Sequence, residues 1–282
     1  MRIPKHLTYK LVRSFISYFG ISKKRPVIVS FTGGMGAQII SAAIYFDLQN
    51  QGYDVFADFR YFEEKPSTQP KYSLWDWQLA CFGLNEEHFK RYKIQDFKLI
   101  IAMYIKDGAV KAKLSSEAMR KSDILNIFRN YTHSFQYRLT ELFSSDPRLS
   151  GPYVCVHVRR GDYLNVASYL VPEELFLNML HRVRRLASTL VVISDSPLSE
   201  NFKKITKRNY DSTIFYDSGS LDFALSHYVM TSAQILICSN SQFSWTAGKL
   251  ARGLVLIPRR WFGEHLNSLE ILTLKDSHFL TI

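Results

Sequence analysis

The stretch VCVHVRRGDY, residues 154–163, sets a β-branched run directly against two adjacent arginines and a glycine. Residues 154–158 have the make-up of a buried strand, and the change of polarity at Arg159 marks its end. Similar runs recur downstream at 190–194, 213–216, 235–239 and 254–257, with candidate helices near 172–187, 198–208, 220–233 and 242–251 between them. Strands alternating with helices of that length predict a parallel sheet with right-handed crossovers. Upstream, 27–31 is a continuous apolar strand, 38–51 a helix and 54–59 a second strand, which makes one βαβ unit. A Pro-bounded loop beyond Glu63, a Trp/Tyr-rich patch at 72–77 and helical stretches to about Leu142 follow, without internal repeats. Asp-Pro and Gly-Pro steps within 144–152 mark a linker between two α/β halves.

The chain has 282 residues, 46% of them hydrophobic and 14% aromatic, too apolar for disorder and long enough for two domains. Its net charge of +11 is unevenly placed: residues 1–25 carry 7 bases, and the first acid is Asp47. The body is almost balanced, which argues against a nucleic-acid partner. Cys81, Cys155 and Cys238 cannot build a disulfide framework and are expected as small buried hydrophobes in a reducing compartment. The apolar run from Leu11 to Ile21 is broken by Arg13 and falls short of a bilayer span, so neither a signal peptide nor a membrane anchor is expected.

Four motifs fall at the carboxyl ends of predicted strands, where two Rossmann-like halves would bind a ligand. In HVRRGDY (157–163), the planar forks of Arg159 and Arg160 suit phosphate oxygens, with Asp162 fixing the loop or the second arginine. A solvated turn holding an Arg–Asp pair is the plainer reading, whereas an Arg-Gly-Asp adhesion signal has no extracellular context. In FTGGMGAQ (31–38), Gly33, Gly34 and Gly36 allow a tight turn before a helix start, though the pattern matches neither common nucleotide fingerprint. In ICSNSQFSW (237–245), Ser239, Asn240, Ser241 and Ser244 crowd a helix N-terminus as caps or phosphate donors. In ISDSP (193–197), Asp195 closes a strand or caps the next helix. Asp222, ahead of residue 235, is a candidate for a guanine edge or an exposed helical acid.

Taken together, GGMGAQ, HVRRGDY, ISDSP, SNSQFSW and the trailing IPRRWF make residues 27–262 resemble the bacterial α-1,2-fucosyltransferases of glycosyltransferase family 11. The resemblance implies a GT-B-like fold, α/β with two Rossmann-like domains and a cleft between them. It also implies GDP-β-L-fucose as donor, inversion at the sugar carbon, no required metal, and O2 of a galactose in a cell-surface glycan of O-antigen or capsule type as acceptor. The donor site would draw on Gly33, Gly34, Gly36, Gln38, His157, Arg159, Arg160, Asp195, Asp222, Ser239, Asn240, Ser241 and Ser244. Domain 26–147 would take the acceptor and domain 148–282 the GDP-sugar. The chain departs from the family pattern at Ala37, Ser196, Thr246 and Ser226. These changes keep a sister transferase using GDP-colitose open, and a nonenzymatic nucleotide- or polyanion-binding protein is the alternative of another class.

Transfer would require positive charge against the leaving diphosphate. No D-x-D occurs in the sequence, so Arg159 and Arg160 are expected to supply that charge, and Arg160→Ala to abolish transfer. Asp58, at the end of the second strand, is the candidate base, with Asp162 behind it. In the leader, Ile3, Leu7, Leu11, Phe15 and Phe19 form one apolar helical stripe with Lys5, Lys10 and Arg13 off it. Peripheral contact of a cytoplasmic protein with an anionic membrane fits this pattern, as does a helix packed on the first domain.

Overall fold

The computed structural model describes residues 26–50, 52–63, 76–91, 141, 145–165, 169–217, 222–258 and 279–281. The expected leader 1–25 and most of the helical stretches expected between the 72–77 patch and about Leu142 lie outside the described residues; within 78–91 the structure has 3-10 turns at Leu79–Phe82 and Glu86–His88. The chain divides into two compact units, Met1–Leu79 with Leu84–Asp123, and Ala80–Gly83 with Ile124–Ile282. Residue 147, the expected domain boundary, lies inside the second unit, where Asp146 caps a 3-10 turn at Pro147–Leu149.

In the first unit β1 (Pro26–Ser30) and β2 (Asp54–Asp58) pair in parallel across α1 (Met35–Asn50), and the short α2 (Arg60–Glu63) follows β2. Helix α1 starts three residues before the expected position. Gly33 sits at φ 71°, a conformation open to glycine, and turns the chain so that the Gln38 N–H already reaches the Gly34 carbonyl at 3.1 Å. Residues Ile39, Ala42, Ala43, Tyr45 and Leu48 of α1 are buried, as an all-round apolar helix requires. Phe31, Phe59, Trp77 and Phe89 pack ring to ring, with centroids 4.9 to 6.0 Å apart.

The second unit holds β3 (Tyr153–Val158), β4 (Thr189–Ser194), β5 (Ser212–Tyr216), β6 (Ile235–Ile237), β7 (Leu254–Ile257) and β8 (Phe279–Thr281). Every neighbouring pair is parallel, in the order β5-β4-β3-β6-β7-β8. The connections carry α3 (Glu173–Val183), α4 (Glu200–Asn209), α5 (Phe223–Ser232) and α6 (Gln242–Leu250). The α/β class with parallel Rossmann-like sheets is therefore as expected. Side chains alternate across the sheet: Val154, Val156 and Val158 face Phe176, Met179 and Phe202 of α3 and α4. Tyr153 and Cys155 face the opposite layer with Val229, Met230 and Ala247 of α5 and α6. Cys155 and Cys238 are buried and Cys81 is half-buried, and none of the three is in a disulfide.

Several boundaries of the second unit differ from expectation by a few residues, and two of them have a visible cause. Strand β6 ends at Ile237 rather than at residue 239, because the Ser239 carbonyl closes a turn by accepting the Ser241 N–H at 2.9 Å. Helix α3 ends at Val183, where the Val183 carbonyl takes the Leu186 N–H at 2.9 Å. Among the described residues no helix is long and apolar enough to cross a membrane.

Candidate functional site

In the second unit the strand order runs outward from β3 to one side and from β6 to the other. At such a switch point the connections leave in opposite directions, and a crevice opens outside the carboxyl ends of the two central strands. HVRRGDY leaves β3 there and SNSQFSW leaves β6. The two loops touch through the Arg159 N–H, which donates to Ser239 Oγ at 3.2 Å.

Asp195, just past β4, organises the first loop. Its Oδ1 accepts the Arg160 N–H at 2.7 Å and the Gly161 N–H at 3.1 Å, and its Oδ2 lies 2.8 Å from Arg159 Nη1. A Cβ at residue 161 would stand 2.5 Å from Asp195 Oδ2, so a larger residue there would push aside the carboxylate that holds the loop. Arg159 Nη2 donates to Asp162 at 2.5 Å, and its guanidinium lies 5.3 Å from the Tyr163 ring centroid.

The adjacent arginines have unlike partners. Arg160 Nη1 donates at 2.7 Å to Glu173, the first residue of α3, whose side chain is only 10% exposed. Glu173 also accepts the Ser199 N–H at 3.2 Å and the Ser199 hydroxyl, and Ser199 Oγ in turn caps α4 through the Phe202 N–H at 3.1 Å. Arg160 is thus built into a buried brace between two helix starts. Arg159 instead meets Asp162, which is 55% exposed, so that pair is solvent-screened and readily exchanged. Sequence reasoning passed over Glu173, although two consecutive arginines at a strand end call for more than one acidic partner.

The serine-rich turn is largely occupied by its own fold. Ser241 caps α6 through the Phe243 N–H at 3.2 Å, and Ser244 Oγ donates to the carbonyls of Ser239 and Ser241 at 3.2 and 3.3 Å. Asn240 Nδ2 donates to the Tyr169 carbonyl at 3.3 Å. Asp222 is the N-cap of α5 rather than a residue within it, and accepts the Leu225 N–H at 2.7 Å.

In the first unit Gln38 is fully buried and clamps the glycine turn. Its Nε2 donates to the carbonyls of Gly33 and Asp76, both at 2.8 Å, and its Oε1 accepts the Gln78 N–H at 2.8 Å. Gln78 Oε1 accepts the Met35 N–H at 2.7 Å, so the start of α1 is tied to the same clamp, with Gly34 and Gly36 on either side of Met35. Asp58 ends β2 with both oxygens engaged by Arg60, from Nε at 2.9 Å and Nη2 at 2.7 Å. Among the described residues no three His, Cys, Asp or Glu side chains group as metal ligands.

His157 lies in the core layer beneath the arginine loop, its ring 5.6 Å from Phe243, and Phe243 lies 5.3 Å from His227. His227 Nε2 is 3.2 Å from Thr246 Oγ1, and His157 Nδ1 has no hydrogen-bond partner among the described residues. Burial, then the Arg159 charge, lowers the His157 pKa to about 3; burial, then His157, lowers His227 to about 3. The unfolded chain binds these protons at the ordinary pKa near 6.5, whereas the native chain does not, so stability falls as pH drops from about 6.5 towards 3. The melting temperature is expected to decline between pH 6.5 and 5, before carboxylates titrate, and His227→Gln to flatten that decline. Thermal melts across this window check it, and an unchanged slope in the variant would refute it.

The second unit thus has the strand order and loop placement of a nucleotide-binding sheet. Its residues 147–268, from the turn before β3 to beyond β7, match the model described as Glycosyl transferase family 11. Among curated proteins none matches. Among solved structures, NodZ alpha-1,6-fucosyltransferase soaked with GDP-fucose is similar at 14% identity and a TM-score of 0.47, covering 81% of this chain and 93% of that one. POFUT1 in complex with GDP is similar at 11% identity and a TM-score of 0.49, covering 86% and 99%.

Proposed function

We propose that this chain is a glycosyltransferase that moves L-fucose from GDP-β-L-fucose to O2 of a galactose in a cell-surface glycan, with inversion at the sugar carbon. The observation that carries the reading is Arg159 at the switch point of a Rossmann-order sheet, inside the segment that matches the family-11 model. The donor diphosphate lies against that loop, and Arg159 turns to it by exchanging the exposed Asp162. Asp195 keeps its hold on Nη1 and on two loop N–H groups, so the guanidinium is fixed before the donor arrives. As the bond from the sugar to the diphosphate breaks, negative charge grows on the phosphate oxygens, and a preorganised guanidinium stabilises it without a metal. Ser239 and the α6 start hold the loop from the other side of the crevice, while Arg160 braces it from beneath.

Ala37 and Ser196 leave the donor deoxyhexose open, so GDP-colitose belongs in the test. A panel of GDP-sugars offered with galactose-terminated acceptors, read by mass spectrometry, is expected to show a deoxyhexose added from GDP-fucose. Transfer from GDP-colitose alone would replace the donor. Binding of ATP or heparin as tightly as GDP, with no turnover of any GDP-sugar, would replace the transferase with a polyanion-binding protein. The basic leader would hold such a cytoplasmic enzyme against an anionic membrane carrying a lipid-linked acceptor; deletion of residues 1–22 is expected to abolish flotation with anionic liposomes.

A further inference from the structure

Asp195 and Asp162 hold the edges of the Arg159 guanidinium, and a third partner lies against its face. Cζ stands over the Tyr163 ring, 5.3 Å from the centroid. Residues Gly161–Asn165 form a 3-10 turn, and the Leu164 N–H donates to the Arg160 carbonyl at 2.9 Å. The turn brings residue 163, four places on, round to the side of residue 159. Burial pushes the Tyr163 phenol up to about 12, so the side chain offers a neutral ring to the cation rather than a phenolate.

Tyr163 is itself propped. Its ring meets that of Tyr169 at 5.4 Å between centroids, with the planes at 65°, a favourable edge-to-face contact. The Tyr169 carbonyl accepts from Asn240 Nδ2 at 3.3 Å. Asn240 is only 2% exposed and follows Ser239, whose hydroxyl accepts the Arg159 N–H at 3.2 Å. The contacts close a ring, from the Arg159 guanidinium through Tyr163, Tyr169 and Asn240 to Ser239 and back to the Arg159 backbone.

We propose that Tyr163 is a positioning residue for the donor diphosphate: its ring fixes the plane of the Arg159 guanidinium, and Tyr169 and Asn240 fix the ring. The proposal rests on the reading of Arg159 as the diphosphate ligand. Once the donor displaces Asp162 from Nη2, Asp195 holds one edge of a flat group that can still swing about it, and a ring against the face removes that freedom. A bound diphosphate tolerates a swinging guanidinium, whereas charge growing on the leaving oxygens needs one already aimed. The contribution of Tyr163 therefore falls on kcat more than on binding of the donor.

The test joins initial rates with GDP-fucose and a galactose-terminated acceptor to calorimetry with GDP, all on the full chain. Tyr163→Leu is expected to lower kcat roughly tenfold, as loss of a partly buried cation–π contact predicts. KM for GDP-fucose should stay within about threefold of the parent. Tyr163→Phe keeps the ring and is expected to recover most of the loss. In an Arg159→Ala background Tyr163→Leu is expected to lower the rate no further, because a residue that acts through Arg159 is silent without it. Tyr169→Leu leaves the Arg159 contact in place but removes its prop; it is expected to lose roughly threefold, and runs the same cycle where Tyr163→Leu does not fold. Additive losses in the double variant would show that Tyr163 acts on the donor or the fold in its own right. That result, an equal loss in Tyr163→Phe and Tyr163→Leu, or a parent-like kcat in Tyr163→Leu would overturn the proposal. A parent that binds GDP but turns over no GDP-sugar would sink the transferase reading instead. The cycle is then run on GDP affinity, where coupled losses uphold the positioning role and additive ones overturn it.

Discussion

Arg159→Ala is expected to lower the transfer rate by a hundredfold to a thousandfold while the protein stays folded. A preorganised donor to developing negative charge contributes ~3–4 kcal/mol to the transition state, and Arg159 is the arginine at the crevice itself, tied by its backbone to Ser239 across the switch point. Its ion pairs are with Asp162, 55% exposed, and Asp195, 24% exposed. Neither carboxylate is left stranded in a dry core by the substitution, and Asp195 retains the N–H groups of Arg160 and Gly161. Stability is therefore expected to change by less than ~1 kcal/mol. Arg159→Lys keeps the charge but loses the fork that serves Asp195 and phosphate together, and should recover only a small part of the rate. Initial rates with GDP-fucose and a urea titration of each variant separate the two effects. A rate within tenfold of the parent in Arg159→Ala would remove Arg159 from the chemistry.

The layout of the second unit was legible because its strands are buried on both faces. A parallel strand covered by helices must be apolar throughout, and the runs at 154–158, 190–194 and 254–257 announce themselves for that reason. Strand order is another matter, because pairing is decided by contacts across the chain that leave no local mark. Nothing in residues 235–237 says that they lie beside β3 while β4 lies on its other side. The three-residue β8 was not foreseen; its place beside β7 is set by backbone pairing such as Val255 with Phe279.

For the site, sequence located the loops but not the task of each side chain. Gln38 follows a glycine turn and read as a ligand contact, yet it is the clamp that shapes the turn. Ser241 and Ser244 read as phosphate donors or caps; in the structure Ser241 caps α6, and Ser244 donates its hydroxyl to the Ser239 and Ser241 carbonyls. Glu173 went unnoticed because an acid in the first turn of a helix already has a sufficient explanation in the helix dipole. Its partner, Arg160, lies 13 residues away and is brought to it only by the path of the loop. The rule that adjacent arginines share a function fails here for a geometric reason: consecutive residues in an extended loop project to opposite sides, so one reaches the crevice side and its neighbour reaches the α3 start.

The same geometry makes Arg160→Ala a substitution that damages the fold as well as the rate. Removing one member of a buried ion pair leaves the other charge without compensation, at ~3–5 kcal/mol for a fully dry site. With Arg160 26% and Glu173 10% exposed, solvent screening reduces this, and about 1–3 kcal/mol is expected. Ser199 still donates its hydroxyl and N–H to Glu173, which keeps the variant folded but loosens the loop that carries Arg159. A second change distinguishes stranded charge from lost packing. Glu173→Gln in the Arg160→Ala background removes the uncompensated carboxylate, keeps an oxygen for the Ser199 N–H, and is expected to restore most of the lost stability. The rate should recover less than the stability, because the guanidinium that ties the loop to α3 is still missing. Urea titrations of both single variants and of the double variant give the coupling directly. Additive losses in the double variant would show that Arg160 and Glu173 act independently, and would end the assignment of Arg160 as the brace beneath Arg159.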